Sequence, residues 1–176
     1  MKSIIRIISI GGISLLLLSL RSFSQNKLSI DLASIRNIHT SHTGLSVSSY
    51  YHVTKHLSGG LEVNRFFPIH RVVDEEDLQH SATDVDLNAH YNFHVFKHII
   101  FYPITGICHN SDNEKNLETG KRQSKQFWSF NSGAGIALEN AKCSPFVEYS
   151  YTWGQLNQQF LMAGVCIEIE WGSHKH

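Results

Sequence analysis

The sequence predicts an all-β fold: eight antiparallel strands closed into an up-and-down barrel that crosses a bilayer, preceded by a signal peptide. Three observations carry this reading. One strand is about twice the ordinary length, seven further stretches repeat its alternation, and the connections between strands alternate between short and long.

The longest faultless run is Asp84 to Val95, DVDLNAHYNFHV. Val85, Leu87, Ala89, Tyr91, Phe93 and Val95 fall on one face of an extended chain, and Asp84, Asp86, Asn88, His90, Asn92 and His94 on the other. That is near the length a tilted strand needs to cross a bilayer.

Taken in order, strand one covers Asn26 to Arg36, with Leu28, Ile30 and Leu32 opposite Ser29, Asp31 and Ala33. After a short polar loop holding His39 and His42, Thr43 to Val53 sets Leu45, Val47, Ser49, Tyr51 and Val53 against Ser46, Ser48, Tyr50 and His52. A tight turn leads to Gly60 to Phe67, with Leu61, Val63 and Phe67 opposite Glu62 and Asn64. Pro68 to Ala82 is polar, holds the acidic cluster Asp74-Glu75-Glu76-Asp77 and shows no period, so a long loop is expected.

The anchor strand follows as the fourth. Ile99 to Cys108, the fifth, is apolar on both faces and contains Pro103, which lacks a ladder donor. His109 to Lys125 is read as a second long loop. Gln126 to Leu138 then sets Trp128, Phe130, Ala134, Ile136 and Leu138 against Ser129, Asn131, Gly133, Gly135 and Ala137. Ser144 to Trp153 opposes Val147, Tyr149, Tyr151 and Trp153 to Phe146, Glu148, Ser150 and Thr152. The last strand, Gln158 to Trp171, has Leu161, Ala163, Val165, Ile167, Ile169 and Trp171 on its apolar face.

Charge supports a lipid-facing exterior, since Arg or Lys at a lipid-facing midplane position costs about 2–4 kcal/mol. On the apolar faces the one charge within a strand is Arg65, near an end. Asp31, Glu62, Asp84, Asp86, Glu148, Glu168 and Glu170 all lie on the opposite faces. No lysine or arginine is placed among those acids, so they are expected either to sit at the watery barrel ends or to pair with protonated His52, His90 and His94.

Residues 1–25 read as a signal peptide, with Lys2 and Arg6 before an apolar core from Ile7 to Leu20 and small residues at Ser22-Phe23-Ser24. The barrel then occupies residues 26–171 and a polar tail 172–176. About 150 mature residues suit one domain. The formal net charge is zero, without a Lys/Arg run, so no nucleic-acid partner is expected. Cys108, Cys143 and Cys166 are odd in number and far apart, which argues for small packed residues, one of them in a turn, over a disulfide framework.

The signal, the turn and loop alternation, the NSGAGIALE and SPFVEYSYTW strand pair and the closing FLMAGVCIEIEW together resemble the small eight-stranded outer-membrane β-barrel proteins, the OmpA/OmpX-like group. Such proteins typically end on an aromatic; here Gly172 to His176 follow Trp171. The resemblance implies a monomer in the outer membrane of a Gram-negative-type cell, in contact with its lipid and lipopolysaccharide, inserted by the outer-membrane assembly machinery, with loops 68–82 and 109–125 facing a partner.

No catalytic, cofactor-binding or metal residue is assigned, and no cofactor is expected. His90 and His94 share a face but stand roughly 13 Å apart, too far to hold one ion together, so any metal would need ligands from neighbouring strands. His109-Asn110-Ser111 resembles the His-x-Ser of barrel-embedded lipid A deacylases, with Glu118 as a third member by assumption. Eight strands enclose no wide channel, which excludes a general porin. The leading expectation is therefore a non-enzymatic barrel with contact loops. The deacylase-like hydrolase using His109 and Ser111 is the second, and a soluble lipocalin-like barrel, apolar inside, the third.

Overall fold

The computed structural model describes residues 27–73, 76–139 and 143–170. The signal segment 1–25, Asp74-Glu75, the Lys142 turn, Trp171 and the tail 172–176 lie outside the described residues. The elements are β1 (Lys27–Asn37), β2 (Thr43–His52), β3 (Leu57–Phe66), β4 (Ile69–Val73), β5 (Glu76–Tyr91), β6 (Phe93–Phe96), β7 (Ile99–Asn116), β8 (Arg122–Leu138), β9 (Ser144–Trp153) and β10 (Gln158–Glu170).

These ten segments build eight staves. Pro68 cannot donate to a ladder, and the chain breaks at Phe67-Pro68 before resuming as β4. A second break at Asn92 separates β5 from β6, whose pairing with β7 is irregular between His94 and Phe96. The ring runs β1-β2-β3-β5-β7-β8-β9-β10, and β10 closes on β1 from Lys27↔Glu170 to Asn37↔Phe160. Neighbours in the ring are antiparallel throughout.

Register fixes the stagger. Partners followed from Leu28 run through Tyr51, Gly59, Ala89, Thr105, Ser132, Tyr151 and Gln159. The trace returns to β1 at Ile38, whose N–H meets the Gln159 carbonyl at 2.8 Å, ten residues from the start. A stagger of this size tilts the strands about 40° to the axis. At about 3.3 Å per residue, the outward positions from Leu57 to Phe67 then rise about 25 Å, the height of a hydrocarbon band.

The faces agree with the alternation. Leu87 is 53% exposed while its neighbours Asp86 and Asn88 are 4% and 5% exposed. Leu45, Val47, Leu61, Val63, Ile136, Val147 and Leu161 also point outward. Tyr91, Phe93 and Phe101 ring the lower end, and Phe67, Trp128, Phe130 and Trp153 stand toward the upper one, as aromatic girdles do. A soluble lipocalin-like barrel needs the reverse orientation, so the apolar exterior removes that alternative.

The expected long loops are largely strand. Ile69–Val73 pairs with Glu76–His80, and Leu78–Asn116 through Thr83–Ser111 extends the β5–β7 ladder well above the girdle. β8 continues alongside as Arg122–Phe127. The upper β7 and β8 are polar on both faces, and Ile69, Val72, Val73 and Leu78 of the β4–β5 arm form no sustained alternation for a sequence reading to detect. The tip of β7–β8 is a tight turn in which the Asn116 Oδ1 accepts from the Glu118 and Thr119 N–H groups, at 3.0 and 2.8 Å, and Gly120 takes φ 70°. Asn37 caps the β1–β2 tip in the same way, through the His39 and Thr40 N–H groups.

An outward arginine at mid-height separates membrane from water. Leu87→Arg is expected to cost about 2–4 kcal/mol, and Ser124→Arg, on the same outward face but in the arm, about 0–1 kcal/mol. Folding into lipid vesicles, scored by the mobility shift of unboiled protein on a gel, checks this; equal yields would mean that the band is misplaced.

Candidate functional site

The lumen is a filled interior. On the β1, β2, β3 and β10 side, Ala33, Ile35, Phe66, Phe160 and Met162 pack into an apolar cluster, with the Phe66 and Phe160 rings 5.6 Å apart. The wall formed by β3, β5, β7, β8 and β9 is polar. Here Asn64 Nδ2 donates to Glu62 at 2.7 Å and to Asp86 at 2.9 Å, joining two carboxylates that would otherwise repel. Asn131 Nδ2 donates to Asp86 and to the Asn88 amide oxygen, both at 3.0 Å. Asn110 donates to Asp84 at 2.9 Å and accepts from the Ser129 hydroxyl.

Two tyrosines complete the network. The Tyr50 hydroxyl donates to Glu62 at 3.1 Å and the Tyr102 hydroxyl to Glu148 at 2.8 Å. Each ring lies over a glycine of the next strand, Tyr50 over Gly60 and Tyr102 over Gly135, where a Cβ would overlap it. Gly106 likewise leaves room for the Asn88 amide to reach Asn131. Ser48 donates to Asp31 at 3.2 Å.

Amide and hydroxyl donors therefore hydrogen-bond the acids, and the expected histidine pairing is corrected. Among the described residues no lysine, arginine or histidine ion pair reaches Asp31, Glu62, Asp84, Asp86 or Glu148. His90 is clamped between two rings, Tyr50 at 4.2 Å and Tyr102 at 5.2 Å. His94 is exposed: β6 keeps the register of β5 on β7 as far as His94↔Ile100 but lies at the lower rim, where the His94 Nε2 stands 4.0 Å from Glu139. The acids at the lower end gain a cation that the sequence reading left out: Lys27, on the parity of Ser29 and Asp31, meets Glu168 at 2.6 Å and Glu170 at 3.9 Å. Parity alone would have placed it.

The space that remains is small. A cavity of about 20 Å³ lies among Glu62, Asp84, Asp86 and Asn131, and one of about 70 Å³ lies below it around His52 and His90. The polar tier and Phe66–Phe160 separate these from a mouth cavity of about 200 Å³ bounded by His80, Asp112, Glu114 and Lys125. In that mouth, above the band, the His42 and His80 rings stack at 5.1 Å. Burial there raises the Asp112 carboxyl above the ordinary carboxylate range, against the opposing pull of His80, His42 and Lys125.

His109 and Ser111 share the outward face of β7, two residues apart, but among the described residues no carboxylate joins them. His109 packs edge-on against Trp128, centroids 4.8 Å apart. Its cross-strand partners are Val85 and Trp128, neither a carboxylate. Glu118 sits in the tip turn, nine residues along an extended chain from His109 and so roughly 30 Å away. Cys108 is buried, Cys143 exposed in its turn and Cys166 half-buried; all three are free thiols.

A closed, eight-stranded, up-and-down barrel with an apolar belt and a hydrogen-bonded polar interior is the fold of the small outer-membrane barrels. No family model and no curated protein matches the sequence. Solved structures match in fold. The N-terminal β-barrel domain of Pseudomonas aeruginosa OprF superposes with a TM-score of 0.65 at 18% identity, over 83% of this chain and 99% of that one. A major outer membrane protein from Thermus thermophilus gives 0.60 at 12% identity, over 81% and 99%. Ail, the attachment invasion locus protein of Yersinia pestis, in complex with the heparin analogue sucrose octasulfate, gives 0.59 at 15% identity, over 81% and 97%.

Asn131 is expected to be the most sensitive amide. Asn131→Leu leaves Asp86 and Asn88 each short of a buried donor and should cost about 3 kcal/mol, whereas Asn113→Leu, exposed in the arm, should change stability by under about 0.5 kcal/mol. Urea unfolding in vesicles measures both; near-equal effects would mean that the network does not hold the interior together.

Proposed function

We propose that this chain is a non-enzymatic integral outer-membrane barrel, exported by residues 1–25 and folded by the outer-membrane assembly machinery as a monomer, whose upper arms form a contact surface outside the cell. The arms carry the reading. β4, β5, β7 and the upper part of β8 make a four-stranded wall that rises on one side of the mouth, where the β1–β2 and β9–β10 tips stay low. This wall has two open edges: β4 pairs with β5 alone, and β8 meets β9 only from Phe130 downward. Open edges offer unpaired N–H and C=O groups to an added strand, and main-chain pairing of that kind is an established mode of protein recognition. Outer-membrane lipid and lipopolysaccharide contact the belt below.

Two features support a role without transport or hydrolysis: the lumen is closed by the Asn64–Glu62–Asp86–Asn131 tier, and among the described residues no carboxylate pairs with His109. Reconstituted protein is expected to give no stepwise conductance in a planar bilayer, and Ser111→Ala to leave the lipid composition of cells unchanged. On intact cells, external protease should cut at Lys121 in the arm tip and spare Lys55 and Lys97 in the lower turns. Cleavage at Lys55 and Lys97 with Lys121 protected would reverse the topology and sink the contact-surface reading.

A further inference from the structure

The two open edges of the upper wall differ in length and in charge. β4 offers Ile69–Val73 and runs straight into the acidic stretch Asp74-Glu75-Glu76-Asp77. Among the described residues β8 has no partner on its β9 side from Arg122 to Ser129, roughly 26 Å of extended chain. No acid occurs between Lys121 and Leu138. The backbone there points usable groups outward along the edge. The Asn116 N–H donates to the Lys121 carbonyl at 2.9 Å, and from that pair the ladder alternates. Gln123, Lys125 and Phe127 therefore turn their N–H and C=O groups to β7, while Arg122, Ser124 and Gln126 turn theirs to the open side. The side chains of these last three share the outward face with Trp128, which is 67% exposed. Directly across from Arg122 on that face stands Lys115, and among the described residues no salt bridge engages either. Like charges set opposite each other across a ladder repel, and an anion beside them relieves that cost. The acids of the region do not serve: Asp112 and Glu114 line the mouth with Lys125, Asp77 stands toward His70 at 3.8 Å, and Glu118 in the tip is offset by Lys121.

We propose that the upper β8 edge binds an extended acidic segment of another protein by strand addition, an inference that rests on the contact-surface reading of the arms and fixes which edge acts and what it takes. The added chain hydrogen-bonds to Arg122, Ser124 and Gln126, and its alternate side chains line up beside theirs. Opposite Arg122 the fitting residue is Asp or Glu, which offsets the Arg122–Lys115 repulsion. Opposite Trp128, further down the same face, it is aliphatic or aromatic. Main-chain pairing supplies affinity, and these two positions supply selectivity. The edge lies over the β9–β10 rim of its own barrel, because β9 takes up the same side of β8 from Phe130 downward. A peptide or a protruding strand fits above that rim, whereas a second barrel in the bilayer would meet the wall of the first. β4 is the poorer edge for such a segment, being shorter and ending on acids that repel it.

Full-length mature protein, isotope-labelled and folded in detergent, would be titrated with a short soluble peptide of alternating Thr and Val carrying glutamates at one end, and with the same peptide carrying lysines there. Saturable binding of the glutamate peptide is expected, with shifted and newly exchange-protected amides at Arg122, Ser124 and Gln126 and none in β4. Ser124→Pro removes a donor that β7 does not use, so the barrel keeps its ladder while the peptide binds about tenfold or more weakly. Arg122→Glu should weaken the glutamate peptide about tenfold and favour the lysine peptide. His70→Glu, on β4, should bind as the parent does. Gel mobility of unboiled samples confirms that each variant is folded, and should Ser124→Pro fail to fold, the amide map of the unaltered protein reads the same question. Absence of saturable binding, equal affinity for the two peptides, or amide changes confined to β4 or the mouth would overturn the proposal. So would binding that Ser124→Pro leaves unchanged, the mark of plain attraction to a charged corner. Protection of Lys121 on intact cells sinks the contact-surface reading whatever the peptide does, and a silent peptide with Lys121 cleaved sinks this inference alone.

Discussion

Backbone hydrogen bonding in a medium that offers no water is the constraint on which everything else here depends. A strand in hydrocarbon must pair on both sides, so a sheet can cross only by closing on itself. The β1–β10 seam does this without a gap from Lys27↔Glu170 to Asn37↔Phe160, and the ten-residue stagger it completes sets tilt, height and bore together. Once closed, alternation has one outcome: alternate residues face lipid and the rest face a space barely wide enough for side chains.

That narrow space explains the composition of the inner face. Five buried carboxylates without a basic partner would be prohibitive if left bare. Asparagines at 64, 110 and 131 and tyrosines at 50 and 102 supply directed donors from neighbouring or facing strands, and glycines at 60, 106 and 135 clear the volume those side chains occupy. The same crowding closes the bore. A barrel organised in this way has its interior committed to stability through most of its height, which leaves the open-edged arms above as the place for contacts.

Above the girdle the constraint lapses, and with it the sequence signal. Pro68 to Ala82 and His109 to Lys125 looked like loops because their residues are mostly polar and show no sustained alternation, yet their backbones pair as regularly as those in the belt. The exposure of His94 was invisible for the opposite reason, since Phe93 and Val95 keep the parity of the strand and β6 stays paired with β7 while its side chains have run down to the rim.

The sequence by itself determined the number of staves, the inward or outward direction of most side chains from Leu28 to Ile169, and the turn order, because alternation with period two is a local property that any strand must express. Only the tertiary structure decided which donor meets which acid, which histidines share a cavity, and where the wall continues beyond the membrane. Those facts depend on register between strands distant in the chain, such as Asn131 of β8 reaching Asp86 of β5 across β7, and register is set by the stagger of the closed ring, a property of the whole barrel that no single stretch encodes.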